Sequence, residues 1–387
     1  MLPVAEIRVA ARAETPASVA LRRAVHRRPE LARHEVETTR RVAASLKDAG
    51  IEPKLLPAGT GLVAEVGTEG PCVGFRADLD ALPVDEASGE EFSSEIPGIM
   101  HACGHDVHTA VGVGIAKTLA ALAPRGRYRF LFQPAEEQVP AGARDLIDFG
   151  ALDGLEKLIA FHIDPERPAG VFGLREGPIT SASDRIRIRL SGPGGHTARP
   201  ERAVDLIQAA ALIVNELPPA LRTAAAPHNL VAVFGTIHAG SAENVMPADL
   251  SMAGTVRTVD MDTWRRMPPI VDGKVHALAQ SRGAGVELEY TQGAPPVIND
   301  GPIIRSSATA LQSLLGPGAI QETHHSMGAE DFAWYLQRIP GALIRLGAAP
   351  RGLAVDLHSA HLRIDEAAIE AGIAAGTAIL MALAATA

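Results

Sequence analysis

Three apolar segments of the sequence have the pattern of buried strands, and each leads into side chains that ionise or bind metals. Residues 71–77 lead into Asp78 and Asp80, and residues 127–133 lead into Glu136 and Glu137. Residues 157–162 end in His162. Helical patterns separate these segments, which predicts an α/β fold with a mostly parallel sheet and helices on both faces. Such sheets hold their sites at the carboxyl ends of the strands. The sequence therefore predicts a polar site at that edge, although a solvated turn would also explain the two aspartates.

Histidine and cysteine are concentrated in one short run, residues 101–108, which contains three histidines and one cysteine. Cys103 and His105 flank a glycine, so a turn there would direct both side chains at one ion. Imidazole and thiolate ligands hold zinc, manganese, iron or cobalt. Apolar residues at helical spacing follow, which places the run at a helix N-terminus, where the dipole favours a thiolate. Two other interpretations stay open: an ordinary turn, or a Cys103 nucleophile activated by a neighbouring histidine.

Length, charge and cysteine content limit the class of protein. The chain has 387 residues, more than one core of about 100–150 residues usually serves, so we expect two domains. A formal net charge of −9 with no long basic run argues against nucleic acid as a partner. The two cysteines, Cys72 and Cys103, are too few for a disulfide framework and fit a reducing cytoplasm.

Neither end of the sequence predicts a membrane segment. The first ten residues include Glu6 and Arg8, where a signal peptide would need an apolar stretch. Residues 371–387 are apolar but fall short of the ~20 residues that span a bilayer. Ile369 and Ile373 begin a helical spacing of apolar residues, so we expect a packed terminal helix and no membrane partner.

The pattern changes near Ser181, after which isoleucine and leucine alternate with arginine as in a half-exposed strand. Further strands near 229–237, 248–257 and 286–290, with helices near 202–217 and 262–280, make an α+β insertion. We therefore divide the chain into a catalytic domain (1–182 and 293–387) and an inserted domain (183–292). The other predicted elements are two helices within 16–50, strands at 61–67 and 342–347, and helices at 301–315 and 330–336.

Five candidate ligands and one further carboxylate emerge from these segments: Cys103, His105, Glu137, His162 and His358, with Glu136 beside them. Five ligands suit two ions, which polarise a carbonyl and make hydroxide available near neutral pH. An unligated glutamate would take the proton from that water and pass it to a leaving amine. This chemistry hydrolyses amides, provided that these residues meet in the fold.

Four motifs resemble one known family. They are GFRADLDALP at 74–83, MHACGHD at 100–106, QPAEE at 133–137 and MGAEDF at 327–332. They are similar to the amidohydrolase branch of the zinc-peptidase clan that includes aminoacylases and carboxypeptidases. That branch contains hippurate hydrolases, N-acyl-L-amino acid amidohydrolases and plant hydrolases of indole-acetyl amino acids. The resemblance covers nearly the whole chain and implies a di-metal exopeptidase fold with an inserted lid and dimerisation domain.

The resemblance implies a role for most of the candidates. The family's ligands for two divalent ions per subunit correspond to Cys103, His105, Glu137, His162 and His358. Mixed thiolate, imidazole and carboxylate ligands suit zinc or manganese, and also cobalt or nickel. Glu136 corresponds to the general base, and Asp80 to an acid that orients the ligands. Asp78 stands where related peptidases place a ligand histidine, so its role stays open.

The inserted domain resembles the family's lid, which also forms the homodimer contact. His196 corresponds to a histidine that reaches into the other subunit's site and stabilises the tetrahedral oxyanion. Asn244 and Arg257 correspond to lid residues that hold the substrate, with a cation suited to its carboxylate. The sequence departs from the branch after Glu137, where a proline at 140 replaces part of a glycine-rich stretch.

These observations together predict a dimeric, metal-dependent amidohydrolase of the cytoplasm. Its expected substrate is an N-acyl amino acid, cleaved to a carboxylic acid and a free amino acid. A metallodipeptidase or carboxypeptidase on the same fold is the nearest rival. A non-catalytic binding protein and a cysteine hydrolase without metal are the rivals from other classes.

Overall fold

The predicted helices and strands occur in the predicted order, and several short elements that the sequence pattern did not predict lie between them. The computed structural model describes residues 3–123, 125–352 and 355–386. The helices are α1 (Val4–Arg27), α2 (Val36–Asp48), α3 (His105–Leu122), α4 (Ala143–Asp148), α5 (Leu206–Ala225), α6 (Met261–Gln280), α7 (Gly301–Leu315), α8 (Ala333–Leu336) and α9 (Ala367–Ala384). The strands are β1 (Pro53–Leu55), β2 (Leu62–Val66), β3 (Cys72–Asp78), β4 (Arg127–Gln133), β5 (Leu155–Pro168), β6 (Phe172–Leu174), β7 (Gly177–Pro178), β8 (Asp184–Ser191), β9 (Gly195–His196), β10 (Leu230–Ala239), β11 (Val245–Met246), β12 (Asp249–Thr258), β13 (Gly285–Thr291), β14 (Ile298–Asn299), β15 (Ile320–Glu322) and β16 (Gly341–Ala349).

The chain divides into two units. The first contains Met1–Gly177, Ile298–His324 and Trp334–Ala387, and the second contains Pro178–Val297 and His325–Ala333. The segment 325–333, which we predict from the sequence to be part of the catalytic domain, belongs to the second unit. Backbone and side-chain hydrogen bonds explain this: Ser181 Oγ donates to the Met327 carbonyl at 2.7 Å, and Ser326 N donates to the Ile179 carbonyl at 2.8 Å.

The first unit is built on an eight-stranded sheet in the order β1-β2-β4-β3-β5-β16-β6-β15. Its centre, β4-β3-β5-β16, is parallel, while β1 and β2 pair antiparallel at one side. The predicted α/β class with a large, mostly parallel sheet is confirmed. Because Asp78 pairs with Gln133 across β3 and β4, the residues that follow both strands emerge at the same edge.

Two helices of the first unit, α3 and α9, meet through glycine. A Cβ atom on Gly114 would lie 2.4 Å from Ile373 Cδ1, and one on Gly376 would lie 2.2 Å from Ile115 Cδ1. Only hydrogen at these positions allows so close an approach. Helix α9 is long and apolar enough to cross a membrane by length and composition, but 72% of it is buried in the protein. It therefore packs as the core helix that the sequence predicted.

Three predicted helices have other bounds in the structure. The helix predicted near 202–217 runs over Leu206–Ala225 and continues through Pro218 and Pro219. Helix α1 begins at Val4 and passes through Pro16, because Ile7, Ala11 and Ser18 continue one buried face on either side of that residue. The predicted helix at 330–336 forms only over α8. The Glu330 side chain accepts a hydrogen bond from Phe332 N at 2.9 Å, which gives the backbone a local alternative to the helical bond.

The second unit is an antiparallel sheet, β10-β12-β8-β13, with α5 and α6 packed against it. Strand β8 alternates as predicted: Ile186, Ile188 and Leu190 are buried in the unit's core, and the intervening arginines are exposed. Strand β10 forms one edge of this sheet.

Candidate metal centre

The turn before α3 directs the cysteine and the first helical histidine to one side. Gly104 has φ +78° at the N-cap of α3, in the left-handed region that favours glycine. A Cβ atom there would also lie 2.4 Å from Ile163 Cδ1, on β5. Glycine is therefore required both for the turn and for the close approach of β5, which carries His162.

The structure brings all five predicted ligands together. Donor atoms of Cys103, His105 and His162 lie within 4.8 Å of one another, and so do those of Cys103, Glu137 and His358. Cys103 Sγ is 3.6 Å from His162 Nε2, and His358 Nε2 is 3.1 Å from Glu137 Oε1. Cys103 belongs to both groups, as a ligand shared by two neighbouring ions would.

The hydrogen bonds of the two buried histidines leave their Nε2 atoms for a ligand. His105 Nδ1 donates to the Asp80 carbonyl at 2.9 Å, and His162 Nδ1 donates to the Ile163 carbonyl at 2.8 Å. His105 Nε2 is buried and has no hydrogen-bond partner among the residues that the structure describes. An unpartnered buried nitrogen is costly unless it binds something, so this donor set fits a metal ion.

Burial and neighbouring charges shift the pKa values at the site. Burial raises the pKa of the Cys103 thiol to about 12, although His105 acts in the opposite direction. A thiol of this kind is a poor nucleophile without a metal, which argues against the cysteine hydrolase. Burial lowers the pKa of His162, so its ring is neutral. The hydrogen bond to Glu137 raises the pKa of His358.

Asp78, whose role the sequence left open, is held by two basic side chains. Ile163 N donates to His108 Nε2 at 2.9 Å, so the proton of this ring is on Nδ1 and is donated to Asp78 Oδ1 at 2.6 Å. Arg76 Nη1 donates to Asp78 Oδ2 at 2.6 Å. Burial would raise the pKa of Asp78, but Arg76, His105 and His108 outweigh it and lower this pKa well below its usual range. Asp78 and His108 thus join β3, α3 and β5 behind the donor groups.

Asp80 holds the backbone of the paired glutamates. Its Oδ1 accepts from Glu136 N at 3.0 Å and its Oδ2 accepts from Glu137 N at 2.9 Å. The Asp80 side chain is buried, and its carbonyl also orients His105. One residue therefore sets the direction of a ligand histidine and of both carboxylate-bearing residues.

The candidates of the inserted domain belong to the second unit, where His196 and Asn244 lie close together and Arg257 lies at the far end of β12. Strand β9, which ends at His196, pairs with β11, and Thr197 N donates to the Asn244 carbonyl at 3.2 Å. The side chains of His196 and Asn244 are exposed. Ala198 N donates to His196 Nδ1 at 3.1 Å, so the neutral ring carries its proton on Nε2. Arg257, on β12, is half-buried, and its Nη1 donates to the Met327 carbonyl at 2.7 Å.

A buried ionic network, which the sequence pattern did not predict, lies behind the start of α3. Asp106 Oδ2 accepts from Arg22 Nε at 2.7 Å and from His26 Nδ1 at 2.9 Å, and His26 Nε2 is 3.1 Å from Glu86 Oε1. Burial lowers the pKa of His26, but Asp106 and Glu86 outweigh this and raise it to about 9. The available signal was an arginine and a histidine four residues apart on one buried face of α1.

Comparison with known proteins places the chain in a family. The model of Peptidase family M20/M25/M40 matches residues 74–382. The chain belongs to this family. This M20-family protein is 37% identical over 337 residues to the N-acetylcysteine deacetylase of Bacillus subtilis, covering 84% of this chain and 87% of that protein. It is 38% identical over 286 residues to the N-acyl-L-amino acid amidohydrolase of Geobacillus stearothermophilus, covering 73% and 77%.

Three further comparisons concern the fold, the range of activities and the length of the relatives. A dinuclear metal-binding peptidase of family M20 from Bacillus subtilis is 32% identical, with a TM-score of 0.86 over 97% of this chain and 99% of that one. Thermostable carboxypeptidase 2 of Saccharolobus solfataricus is 33% identical over 366 residues, covering 92% of each chain. The chain spans 45% of the length of another curated relative, from Rhodococcus jostii, to which it is 43% identical. The predicted family and enzyme class are confirmed: this is an M20-family hydrolase that acts on amides, with the fold of a dinuclear metal-binding peptidase.

Proposed function

We propose that this M20-family hydrolase cleaves the amide bond of N-acyl amino acids with the help of two divalent metal ions. The observation that carries the proposal is the convergence of five donor side chains beside Glu136. One group, Cys103 with His105 and His162, would hold one ion. Glu137 and His358, sharing Cys103, would hold the other. When bound, such ions polarise the acyl carbonyl and lower the pKa of a water molecule.

Glu136 is proposed to move the protons of the reaction. The backbone N–H of Glu136 donates to Asp80 Oδ1 at 3.0 Å. The Glu136 side chain lies in one group with His105 and Glu137. As base it would take a proton from the attacking water, and as acid it would pass that proton to the amine nitrogen. Adjacent carboxylates on one turn can serve different roles, with Glu137 on the metal and Glu136 on the proton.

Residues of the second unit are proposed to bind the substrate. The Arg257 guanidinium suits the carboxylate of the amino-acid product, and Asn244 offers an amide to the polar part of the substrate. His196, with its proton on Nε2, has the donor that an oxyanion needs. We propose that this histidine acts in the site of the other subunit of a homodimer.

The edge of the second unit's sheet supports the homodimer. Strand β10 leaves its outer backbone groups without a neighbouring strand in the described part of the chain. Val233 is 57% exposed and Ile237 is 53% exposed along this strand. Edge strands with exposed apolar residues are templates for pairing with another chain. The free thiols Cys72 and Cys103 support our placement of the enzyme in the cytoplasm.

Two features define the substrates to test first. Relatives named for N-acetylcysteine and for N-acyl-L-amino acids make N-acyl amino acids, including acetyl compounds, the first candidates. A relative named as a carboxypeptidase makes peptide hydrolysis the second candidate. Because both reactions use the same donor groups, only a direct comparison of acyl amino acids with dipeptides separates them.

The experiment measures release of free amino acid by metal-stripped protein, with and without added zinc, manganese, cobalt or nickel. The panel contains N-acetyl, N-benzoyl and longer N-acyl amino acids, N-acetylcysteine and dipeptides. We expect activity on acyl amino acids only after metal addition. Glu136→Ala should lower turnover at least ~100-fold while the bound metal stays. Activity confined to dipeptides, or no activity with any ion, would contradict the proposal, and loss of metal in the variant would contradict the role of Glu136.

A further inference from the structure

The segment after β4 adopts a strained conformation just before the two glutamates. Ala135 has φ +53°, in the left-handed region that side chains with a Cβ atom rarely adopt. Gly142 N donates to the Ala135 carbonyl at 2.8 Å, and a Cβ atom on Gly142 would lie 1.8 Å from the Pro134 carbonyl oxygen. Residues 134–142, the base loop, therefore close on themselves, and the strained residue sets the direction in which Glu136 leaves the strand.

One buried carboxylate from a distant part of the sequence meets this strained residue. Glu35, the residue before α2, is 0% exposed, and its Oε1 accepts from Ala135 N at 2.7 Å and from Arg33 N at 2.9 Å. Its Oε2 is buried, and no hydrogen-bond partner for it lies in the described part of the chain. A carboxylate is placed at such cost only where another feature requires it.

The same turn contacts the base loop a second time. Arg33 Nη2 donates to the Pro140 carbonyl at 2.9 Å, and Arg33 Nη1 donates to Asp145 Oδ2 at 2.6 Å. Arg33 itself has φ +67°. The residues 33–35 therefore hold both ends of the base loop, and Glu35 is the contact at the end that bears Glu136.

We propose that Glu35 is a positioning residue for Glu136, acting through the N–H group of the left-handed Ala135. The proposal rests on the role of Glu136 in the proposed function. With Asp80, Glu35 binds three consecutive N–H groups, those of Ala135, Glu136 and Glu137. If the Glu35 acceptor is lost, Ala135 N–H is buried without a partner, and the residue relaxes to a negative φ that turns Glu136 away.

The ionisation of Glu35 is consistent with a role as an acceptor. Burial and the charge of Asp80 raise its pKa to about 7, while its backbone hydrogen bonds lower it. A protonated carboxyl group still offers a carbonyl oxygen to Ala135 N. A glutamine at position 35 should therefore still accept the hydrogen bond from Ala135 N, whereas a leucine of similar size cannot.

The test compares Glu35→Gln, Glu35→Leu and Glu35→Asp with a matched control, Glu30→Leu. Glu30 lies in the same turn and also accepts two backbone hydrogen bonds, but from Glu37 N and Thr38 N at the start of α2. The first readout is amide hydrogen exchange of residues 134–142 in metal-free protein. The second is kcat and KM of the metal-loaded enzyme on the best substrate of the panel. Glu35→Asp keeps the charge but moves the carboxylate away from Ala135 N, because the side chain is one methylene group shorter. This variant replaces Glu35→Leu in the test if the leucine variant does not fold.

We expect Glu35→Leu to speed exchange in the base loop and to lower kcat ~10- to 100-fold with little change in KM, since small misplacements of a catalytic group have effects of this size. Glu35→Asp should show both effects to a smaller extent. Glu35→Gln should restore both readouts, and Glu30→Leu should alter exchange only at the start of α2. Ala135→Gly in the leucine background should recover part of kcat, because glycine adopts a positive φ without strain.

Wild-type exchange and kcat in Glu35→Leu, or an equal loss of kcat in Glu30→Leu, would overturn the proposal. A glutamine variant as impaired as the leucine variant would also overturn it. If the wild-type enzyme has no amidase activity, the proposed function fails, but the exchange measurements still decide whether Glu35 orders the base loop.

Discussion

Replacing Asp80 with asparagine tests how strongly the site depends on one buried carboxylate. Both Asp80 oxygens accept a backbone N–H, from Glu136 at 3.0 Å and from Glu137 at 2.9 Å. Asparagine keeps one carbonyl oxygen and places an NH₂ group where the second oxygen was. One hydrogen bond is therefore lost, a partly buried N–H group faces another donor, and the remaining hydrogen bond loses its charged acceptor.

The size of the effect follows from these bonds. A hydrogen bond to a charged group contributes about 1.5–3 kcal/mol, and an unpaired buried donor costs a similar amount. We therefore expect the substitution to destabilise the ordered position of the two glutamates by about 2–3 kcal/mol. Since each ~1.4 kcal/mol is a factor of ten, Asp80→Asn should lower kcat roughly 30- to 100-fold. Bound metal should also fall, because Glu137 is a proposed ligand.

The assay is kcat and KM on the best substrate of the panel, with bound metal measured by elemental analysis. Asp148→Asn is the control, because it makes the same change at an exposed aspartate in the same unit. An Asp80→Asn enzyme with wild-type kcat and full metal content would contradict the contribution assigned to these two hydrogen bonds.

Three further predictions concern the base loop, the buried network and the proposed dimer. Gly142→Ala should lower kcat at least ~10-fold, because its Cβ atom would lie 1.8 Å from the Pro134 carbonyl oxygen and the loop must shift. His26→Gln should destabilise the metal-free protein by about 3 kcal/mol near pH 6, since the pKa of His26 is raised from 6.5 to about 9. The raised pKa of His26 stabilises the fold fully at pH values below 6.5, its pKa in the unfolded chain, and no longer does so above about 9, its pKa in the fold. The difference between variant and wild type in the free energy of unfolding, measured in urea, should therefore shrink as the pH rises from 6.5 through 9. Mixed His196→Ala and Glu136→Ala chains, each inactive alone, should regain partial activity once subunits exchange.

Each of these predictions has a control and an outcome that contradicts it. Gly273→Ala, where a Cβ atom meets nothing within 4 Å, should leave kcat unchanged; an equally active Gly142→Ala enzyme would show that the loop tolerates the shift. His34→Gln changes an exposed histidine, and a stability difference for His26→Gln that is constant with pH would contradict the assigned pKa. Each inactive variant mixed with itself controls for the exchange procedure, and no recovery in the mixed sample would count against a shared site.

Much of the fold could be predicted because it depends on local pattern. The strand that became β3 is apolar over its length and has all seven residues buried, and helix α7 has the predicted bounds of 301–315. The five donor residues could be named because few residue types bind metals, and because each stands at a strand end or a turn. Gly104 and the residues around it are adjacent in sequence, so their geometry is nearly local.

The residues that hold the site in place could not be predicted in the same way. Glu35 and Ala135 are partners across 100 positions of the sequence, and Arg22 and Asp106 across 84. No period or spacing relates such pairs. In the sequence, Glu35 is one of several acids at a helix start, which usually lie in solvent.

The sequence by itself determined the order of helices and strands, the edge of the sheet at which the polar residues gather, and the chemical types that could bind metal. Hydrophobic periodicity and side-chain chemistry act over a few residues, so they can be read directly. Only the tertiary structure decided that Asp78 holds His108, that Asp80 binds the backbone of both glutamates, and that residues 325–333 join the second unit. These outcomes depend on hydrogen bonds between segments that become neighbours only when the sheet and its helices are assembled.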